Sequence, residues 1–272
     1  MSKLDPKTSV ELTAATADKH RLYEDAVQNP AAEVEFIDRV YRGEFDRLPR
    51  DLREDFCGTL NLGCAWVRER ADNTVLGVDL DGPTLDWGRA HNVAPLGAAA
   101  ARVTMVQDDV RNVSAPSADV IAATNFSWWG LHTREELLAY LRNCRRSLRA
   151  AGMLMLDIYG GPEAQVLQLE ERECEGYTYV WDQDLFNPIT HEYRCRIHFQ
   201  FPDGSELNDA FAYHWRLWTV PEVRDLLSDA GFRKVEVFWE GADDQGEPDG
   251  DFQVSVEGDT SPAWIAYIVA FR

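Results

Sequence analysis

Positive charge is what this chain most lacks: 27 Lys and Arg stand against 47 Asp and Glu, a formal net charge of −20. A surface of that sign repels phosphate backbones and anionic leaflets, so neither nucleic acid nor a membrane surface is expected as a partner. Neutral and cationic small molecules stay open, and such acidity also serves plain solubility. Cysteine is scarce, five residues (Cys57, Cys64, Cys144, Cys174, Cys195) without a CxxC pair, which suits buried thiols in a reducing compartment rather than disulfides. No apolar run approaches the length of a membrane helix, and the start Met1-Ser2-Lys3-Leu4-Asp5-Pro6 has no apolar leader core, so a soluble, cytoplasmic protein is expected. The six histidines show neither HxxxH nor HExxH spacing, and none pairs with a cysteine as zinc requires, so no metal is expected. The acidic stretch 240–262 contains no Lys or Arg and lacks a calcium-loop order of ligands; it reads as a solvated loop.

What is present is an α/β pattern built around Leu52-Arg53-Glu54-Asp55-Phe56-Cys57-Gly58-Thr59-Leu60-Asn61. This stretch reads as a strand end, a tight turn and a helix start. A carboxylate at a strand end followed by a glycine is how doubly wound α/β proteins open room for a nucleotide. The run Thr74-Val75-Leu76-Gly77-Val78 then ends in Asp79, close to the roughly 20-residue offset at which an acid meets ribose hydroxyls.

Before that stretch, residues 1–15 are small and polar and read as loosely docked, and two helices follow, at 17–27, ended by Pro30, and at 32–42. They are additions able to lie over the strand ends, where Tyr23 either closes on a ligand or simply packs. After it, strands at 74–78, 102–107, 119–124 and 153–158 alternate with helices at 62–70, 83–92 and 133–149, the last opening on a capping box at Thr133-Arg134-Glu135-Glu136. Glu54, Asp79, Asp109 and Asn125 all fall at carboxyl ends of strands, the ligand edge of an open α/β sheet. Residues 162–218 break the alternation with three aromatic-rich strands, at 177–183, 191–201 and 207–218. A helix at 220–230 and strands at 234–239 and 264–271 complete the chain.

From about Leu48 to Arg272 the chain resembles the class I S-adenosylmethionine-dependent methyltransferases, with a Rossmann-like fold, and within them a bacterial small-molecule subgroup without a known substrate. The resemblance rests on Glu54-Asp55-Phe56-Cys57-Gly58-Thr59-Leu60, where Glu54 matches the family's acid, Gly58 its central glycine, and Phe56 and Leu60 replace the flanking glycines. It implies a doubly wound, mostly parallel seven-stranded sheet with helices on both faces and an inserted antiparallel β cap after the fifth strand. By domain, it implies a helical lid at 1–47, a cofactor domain at 48–161 and 219–272, and a substrate cap at 162–218. It further implies S-adenosylmethionine as cofactor. Asp79 would hold the ribose hydroxyls, Leu80 pack on adenine, Asp109 and the Val110 backbone read its amine, and Asn125 meet the methionine portion. Glu54, Phe56 and Gly58 would form the cofactor loop, and Tyr23 and Arg53 hold its carboxylate.

Methyl transfer asks little of side chains: the methyl group arrives activated, and the protein holds a nucleophile in line, about 3–3.5 Å away. A base is needed only where the nucleophile keeps its proton. Candidates for that role are His214 and Tyr159, with Tyr193 and Trp128 as walls and the Trp128-Trp129 pair as wall, core or cation cage. The expected function is methylation of a small-molecule N or O acceptor, with homo-oligomerisation left open. A cofactor-binding protein without turnover is the alternative. An NAD-dependent oxidoreductase ranks behind both, because no GxGxxG is present and Glu54 would repel a pyrophosphate.

Overall fold

The structure, a computed structural model, describes residues 12–243, 245–246 and 248–272. Residues 1–11, most of the stretch expected to dock loosely, lie outside the described residues. Five parallel strands form its centre: β1 (Asp51–Asp55), β2 (Thr74–Asp79), β3 (Val103–Gln107), β4 (Ala118–Ala123) and β5 (Leu148–Gly160). Three further strands, β10 (Lys234–Ala242), β11 (Pro248–Ser255) and β12 (Trp264–Phe271), extend the sheet in the order β11-β10-β12-β5-β4-β1-β2-β3. β12 is antiparallel to both β5 and β10. The sheet is therefore eight-stranded rather than seven-stranded, because β11 pairs with β10 in the acidic stretch read as a solvated loop.

Continuously apolar strands need cover on both faces, and helices supply it. One core packs α5 (Arg134–Ser147) and α6 (Val220–Ala230) against the sheet, and the other packs α2 (Pro30–Phe45) and α3 (Asn61–Glu69) on the opposite face. The capping boxes Thr133/Glu136 and Thr219/Glu222 start α5 and α6. Asn29 caps α2 with Pro30 in its first turn, so Pro30 opens this helix rather than ending α1 (Lys19–Val27); its missing N–H costs nothing there. α4 (Gly82–Gly88) is shorter than expected, giving way to a π-helical turn at Arg89–Val93 and a 3-10 stretch at Ala94–Arg102.

After β5 the chain forms a separate antiparallel sheet of four strands, not three: β6 (Gln168–Cys174), β7 (Tyr177–Phe186), β8 (Glu192–Gln200) and β9 (Glu206–Arg216). α1 lies on it through a small core of Leu22, Tyr177, Ile197 and Phe199. Lys19 Nζ donates to the Ala210 carbonyl and Tyr177 Oη to Asp25 Oδ2.

The turn after β1 follows a glycine-like path with side chains attached. Phe56, Gly58 and Leu60 have φ of 56°, 50° and 61°, a left-handed conformation that costs a non-glycine residue about 1–2 kcal/mol. Leu60 is fully buried, and burying a leucine is worth about 1.5–3 kcal/mol, enough to hold the turn. Gly77 of β2 makes room for it: a Cβ there would lie 2.4 Å from Leu60 Cδ1 and 2.9 Å from Cys57 Sγ. Gly77→Ala is expected to cost about 1–3 kcal/mol by overpacking and Leu60→Ala about 2–5 kcal/mol by cavity formation. In urea unfolding the double variant should lose less than the sum of the two, since each change removes the other's cause; strict additivity would show that the two sites do not press on one another.

Candidate functional site

The parallel strands stop in step. Glu54 lies opposite Gly77 and Ala122, Asp79 opposite Gln107, and Ala123 opposite Leu156. Glu54 and Asp79 therefore share one sheet edge with Asp109 and Asn125, each two residues beyond its strand end. This rim holds itself in shape. Asp79 Oδ2 accepts from Gly58 N–H at 2.8 Å and Oδ1 from Asp81 N–H at 2.9 Å, while Glu54 Oε2 accepts from Gly63 N–H at 2.7 Å. Burial pushes the Glu54 carboxyl well above its ordinary value; the Gly63 amide opposes this, and the charges of Glu33, Asp79 and Asp55 add to it. The Arg111 guanidinium grips Asp109 and holds its carboxyl below the ordinary value. Leu80 stands 66% exposed beside Asp79, an apolar surface at the mouth of the rim. The Val110 carbonyl accepts from Arg53 and Asn143, leaving its amide as the group able to face a ligand.

Arg53 does not reach the rim. Its guanidinium is buried, paired with Asp55 at 2.6 and 2.8 Å and donating to the carbonyls of Val110 and Val113. Alternation along β1 sends this side chain into the core with Asp55 and Tyr140, which donates to Asp55 at 3.0 Å. The expectation that it holds a ligand carboxylate is corrected: the side chain is buried and its charge is met by Asp55.

Beyond the rim a cavity of about 650 Å³ opens between α1, α2, the carboxyl ends of β4 and β5, the antiparallel sheet and β10–β12. Tyr23, Asn125 and Tyr159 line it, as do Phe126, Trp181, Tyr213 and Trp215. α1 and the residue that follows it, Gln28, hold on to the rim. Glu24 Oε1 accepts from Thr59 Oγ1 at 2.7 Å and from Asn92 Nδ2 at 2.6 Å, and Asn61 Nδ2 donates to Gln28 Oε1 at 2.9 Å.

Of the two expected bases, His214 is corrected and Tyr159 lies at the cavity. His214 is not at the cavity: on β9, Tyr213 and Trp215 face it, so the residue between them points to the other side, where His214 Nε2 meets Glu192 Oε1 at 2.7 Å. Tyr159 is at the cavity, where its hydroxyl donates to Tyr193 at 2.7 Å and burial drives its pKa far upward. Trp128 and Tyr193, expected as walls, are fully buried behind the lining, and Trp128 Nε1 donates to the Asp157 carbonyl at 2.9 Å.

Two carboxyl groups missed in the sequence stand here instead. Asp157 of β5 is buried at the cavity wall, and Phe126 N–H donates to its oxygens at 3.0 and 3.1 Å, fixing the left-handed turn Asn125-Phe126. Burial nevertheless pushes it from its ordinary 3.8 up to about 7. Glu33 reaches in from α2 without a hydrogen bond to its carboxyl among the described residues, and burial, with the charge of Asp157 added, pushes it from 4.5 to about 8. An acid inside the apolar run Met153–Ile158 was a readable signal for Asp157. Glu33 carried none, since an acid in a helix's first turn is ordinary.

No family model matches this sequence, and no curated protein does. Solved structures do match, and the fold they share with it is that of the class I S-adenosylmethionine-dependent methyltransferases. One is described as an S-adenosylmethionine-dependent methyltransferase from Clostridium acetobutylicum, 13% identical, covering 92% of this chain and 96% of its own at a TM-score of 0.66. Another is a sugar N-methyltransferase from a Streptoalloteichus species, 21% identical over 100% of this chain and 99% of its own, with a TM-score of 0.62. A third is an amino pentose methyltransferase from Micromonospora echinaspora with S-adenosylmethionine bound, 16% identical over 93% and 95%, TM-score 0.65.

The raised carboxyls set a pH dependence. In the folded state Asp157 and Glu33 keep protons that the unfolded chain has released above about pH 4.5, so folding takes up protons and stability falls as pH rises toward about 8. The melting temperature of the ligand-free protein is expected to decline from about pH 5 to about pH 8, and the double variant Glu33→Gln/Asp157→Asn to flatten that decline. Equal slopes in the two proteins would show that these groups titrate elsewhere.

Proposed function

We propose that this protein transfers a methyl group from S-adenosylmethionine to a small-molecule acceptor. The observation that carries the reading is the join between an acidic strand-end rim, shaped by a left-handed loop, and a roofed, largely aromatic cavity next to it. On this reading Asp79 keeps lone pairs for the two ribose hydroxyls, and exposed Leu80 offers a face to adenine. Asp109 and the Val110 amide stand where its amine would be read. Glu54, Phe56 and Gly58 shape the floor under the methionine portion, and Asn125 and Tyr23 close on it. The shared fold and the bound cofactor of the Micromonospora structure support this choice. Residues 1–47 act as lid, 162–218 as substrate cap and the remainder as cofactor domain.

The bound cofactor would supply a sulfonium methyl that is already activated. The chain's share is placement: α1 and α2 close the roof, aromatic side chains exclude water, and the cavity sets the acceptor in line with the sulfur–carbon bond, about 3–3.5 Å from the methyl carbon. A negative rim also favours a ligand whose reacting end is positive.

Calorimetry with S-adenosylhomocysteine, S-adenosylmethionine and NADH tests the reading. The two sulfur nucleosides are expected to bind and NADH not to; binding of NADH alone would reject the proposal. Asp79→Ala should weaken S-adenosylhomocysteine by at least about tenfold, or ~1.4 kcal/mol, through lost hydrogen bonds to a charged acceptor. His214→Ala should leave that affinity unchanged.

A further inference from the structure

The cavity is strongly unbalanced in charge. Among the described residues, five carboxyl groups, Glu33, Asp157, Glu163, Glu170 and Glu240, line it against the single guanidinium of Arg172. Arg172 is itself occupied, donating to the Ala26 carbonyl and lying 5.0 Å from the centre of the Tyr179 ring. Asp157 accepts from the Phe126 amide, but the Glu33 carboxyl has no hydrogen-bond partner among the described residues; both line the cavity, and the charge of Asp157 acts on Glu33. A half-buried acid without a donor is costly unless a ligand brings one. The walls around it, including Tyr23, Tyr213, Trp215 and Trp264, add ring faces that attract cations.

We infer that the acceptor is a small primary or secondary amine, that Glu33 is the counter-ion of its ammonium form, and that Glu33 takes the proton which must leave before nitrogen can react. This rests on the methyl-transfer reading and names its substrate class. An ammonium has no lone pair. One N–H proton passes to the Glu33 carboxylate, and the freed nitrogen pair forms the new N–C bond. The S–C bond breaks with its electrons going to sulfur, giving a neutral thioether and a methylated ammonium, so charge and atoms balance. The position of Glu33 also addresses a Coulombic problem: a cationic acceptor must approach a cationic sulfonium, and anions between and around them offset the repulsion. Because burial raises Glu33 to about 8, its proton affinity is suited to exchange near neutral pH.

The competing role for Glu33 is to hold the cofactor's own ammonium group, and the test separates the two. The full chain, loaded with S-adenosylhomocysteine, is titrated by calorimetry with 2-phenylethylamine and with 2-phenylethanol, which differ only in amine against hydroxyl. The amine is expected to bind at least about tenfold more tightly. Glu33→Gln, nearly isosteric, should abolish that preference while keeping S-adenosylhomocysteine affinity within about twofold, which also shows that the variant is folded. Equal affinity for the two probes, or binding of neither, would overturn the inference. So would a Glu33→Gln protein that loses S-adenosylhomocysteine but keeps its amine preference. Failure of S-adenosylhomocysteine to bind the unaltered protein is a different result, and it would reject the methyl-transfer reading itself.

Discussion

The site depends on one tight turn, residues 56–60, keeping three left-handed positions while only one of them is glycine. Such a turn is normally bought with glycine, which enters that region freely. Here it is held by other means: Leu60 is driven into the core under the sheet, Gly58 N–H is fixed by Asp79, and Gly63 N–H by Glu54. The two acids of the rim are thus part of the loop's own scaffold. Their side chains cannot drift without the turn moving too. That coupling places a carboxylate at the end of β2 and a clear path over the end of β1 in one fixed relation.

α1 is bound to both layers it spans. α1 gives Glu24 to Thr59 and Asn92 on the rim side, and Asp18 accepts from Trp87 Nε1 at 2.7 Å. On the other side it gives Asp25 and a backbone carbonyl to Tyr177 of the antiparallel sheet. The cavity is bounded by one helix stapled to two sheets, which also meet where Tyr159 of β5 donates to Tyr193 of β8 and where Trp129 packs on Trp215 of β9. The stapling also explains why Glu33 reaches the cavity: α2 follows α1 after the two residues Gln28 and Asn29, so its first turn is carried to the roof.

Much of this was legible in the sequence, and the failures have physical causes. The parallel strands announce themselves as apolar runs, and their terminal acids mark the rim, because strand direction and the ligand edge are consequences of βαβ connectivity. β6 and β11 were missed because each is a sheet edge, Gln168–Cys174 and Pro248–Ser255, whose side chains are mostly charged or polar and whose pairing is carried by the backbone. Edge strands need no apolar alternation, and charges there guard against further pairing. His214 was a fair candidate by type, but which face of a strand meets the cavity is decided by packing between sheets, not by the strand's own pattern. Arg53 failed similarly: a residue at a strand end can turn to the rim or to the core, and the buried partners Asp55 and Tyr140 decided it.

The energetics of the rim point to why so many acids are kept together. Glu54, Asp157 and Glu33 are all displaced toward the protonated form by burial, with the charge of Asp157 adding to the shift of Glu33 and that of Glu33 to the shift of Glu54. Such an arrangement is a standing cost to folding near neutral pH, and apolar or amide replacements would be expected to stabilise the fold. On the proposed amine reading, a cation bound beside Glu33 and Asp157 offsets part of that cost, since a positive charge next to desolvated carboxyls favours their ionisation. The ligand's binding energy is then drawn partly from relief of repulsion already present in the protein, and it is largest where the acids are closest to dry. On that reading positive ligands are selected by the repulsion among these acids as much as by any contact they make.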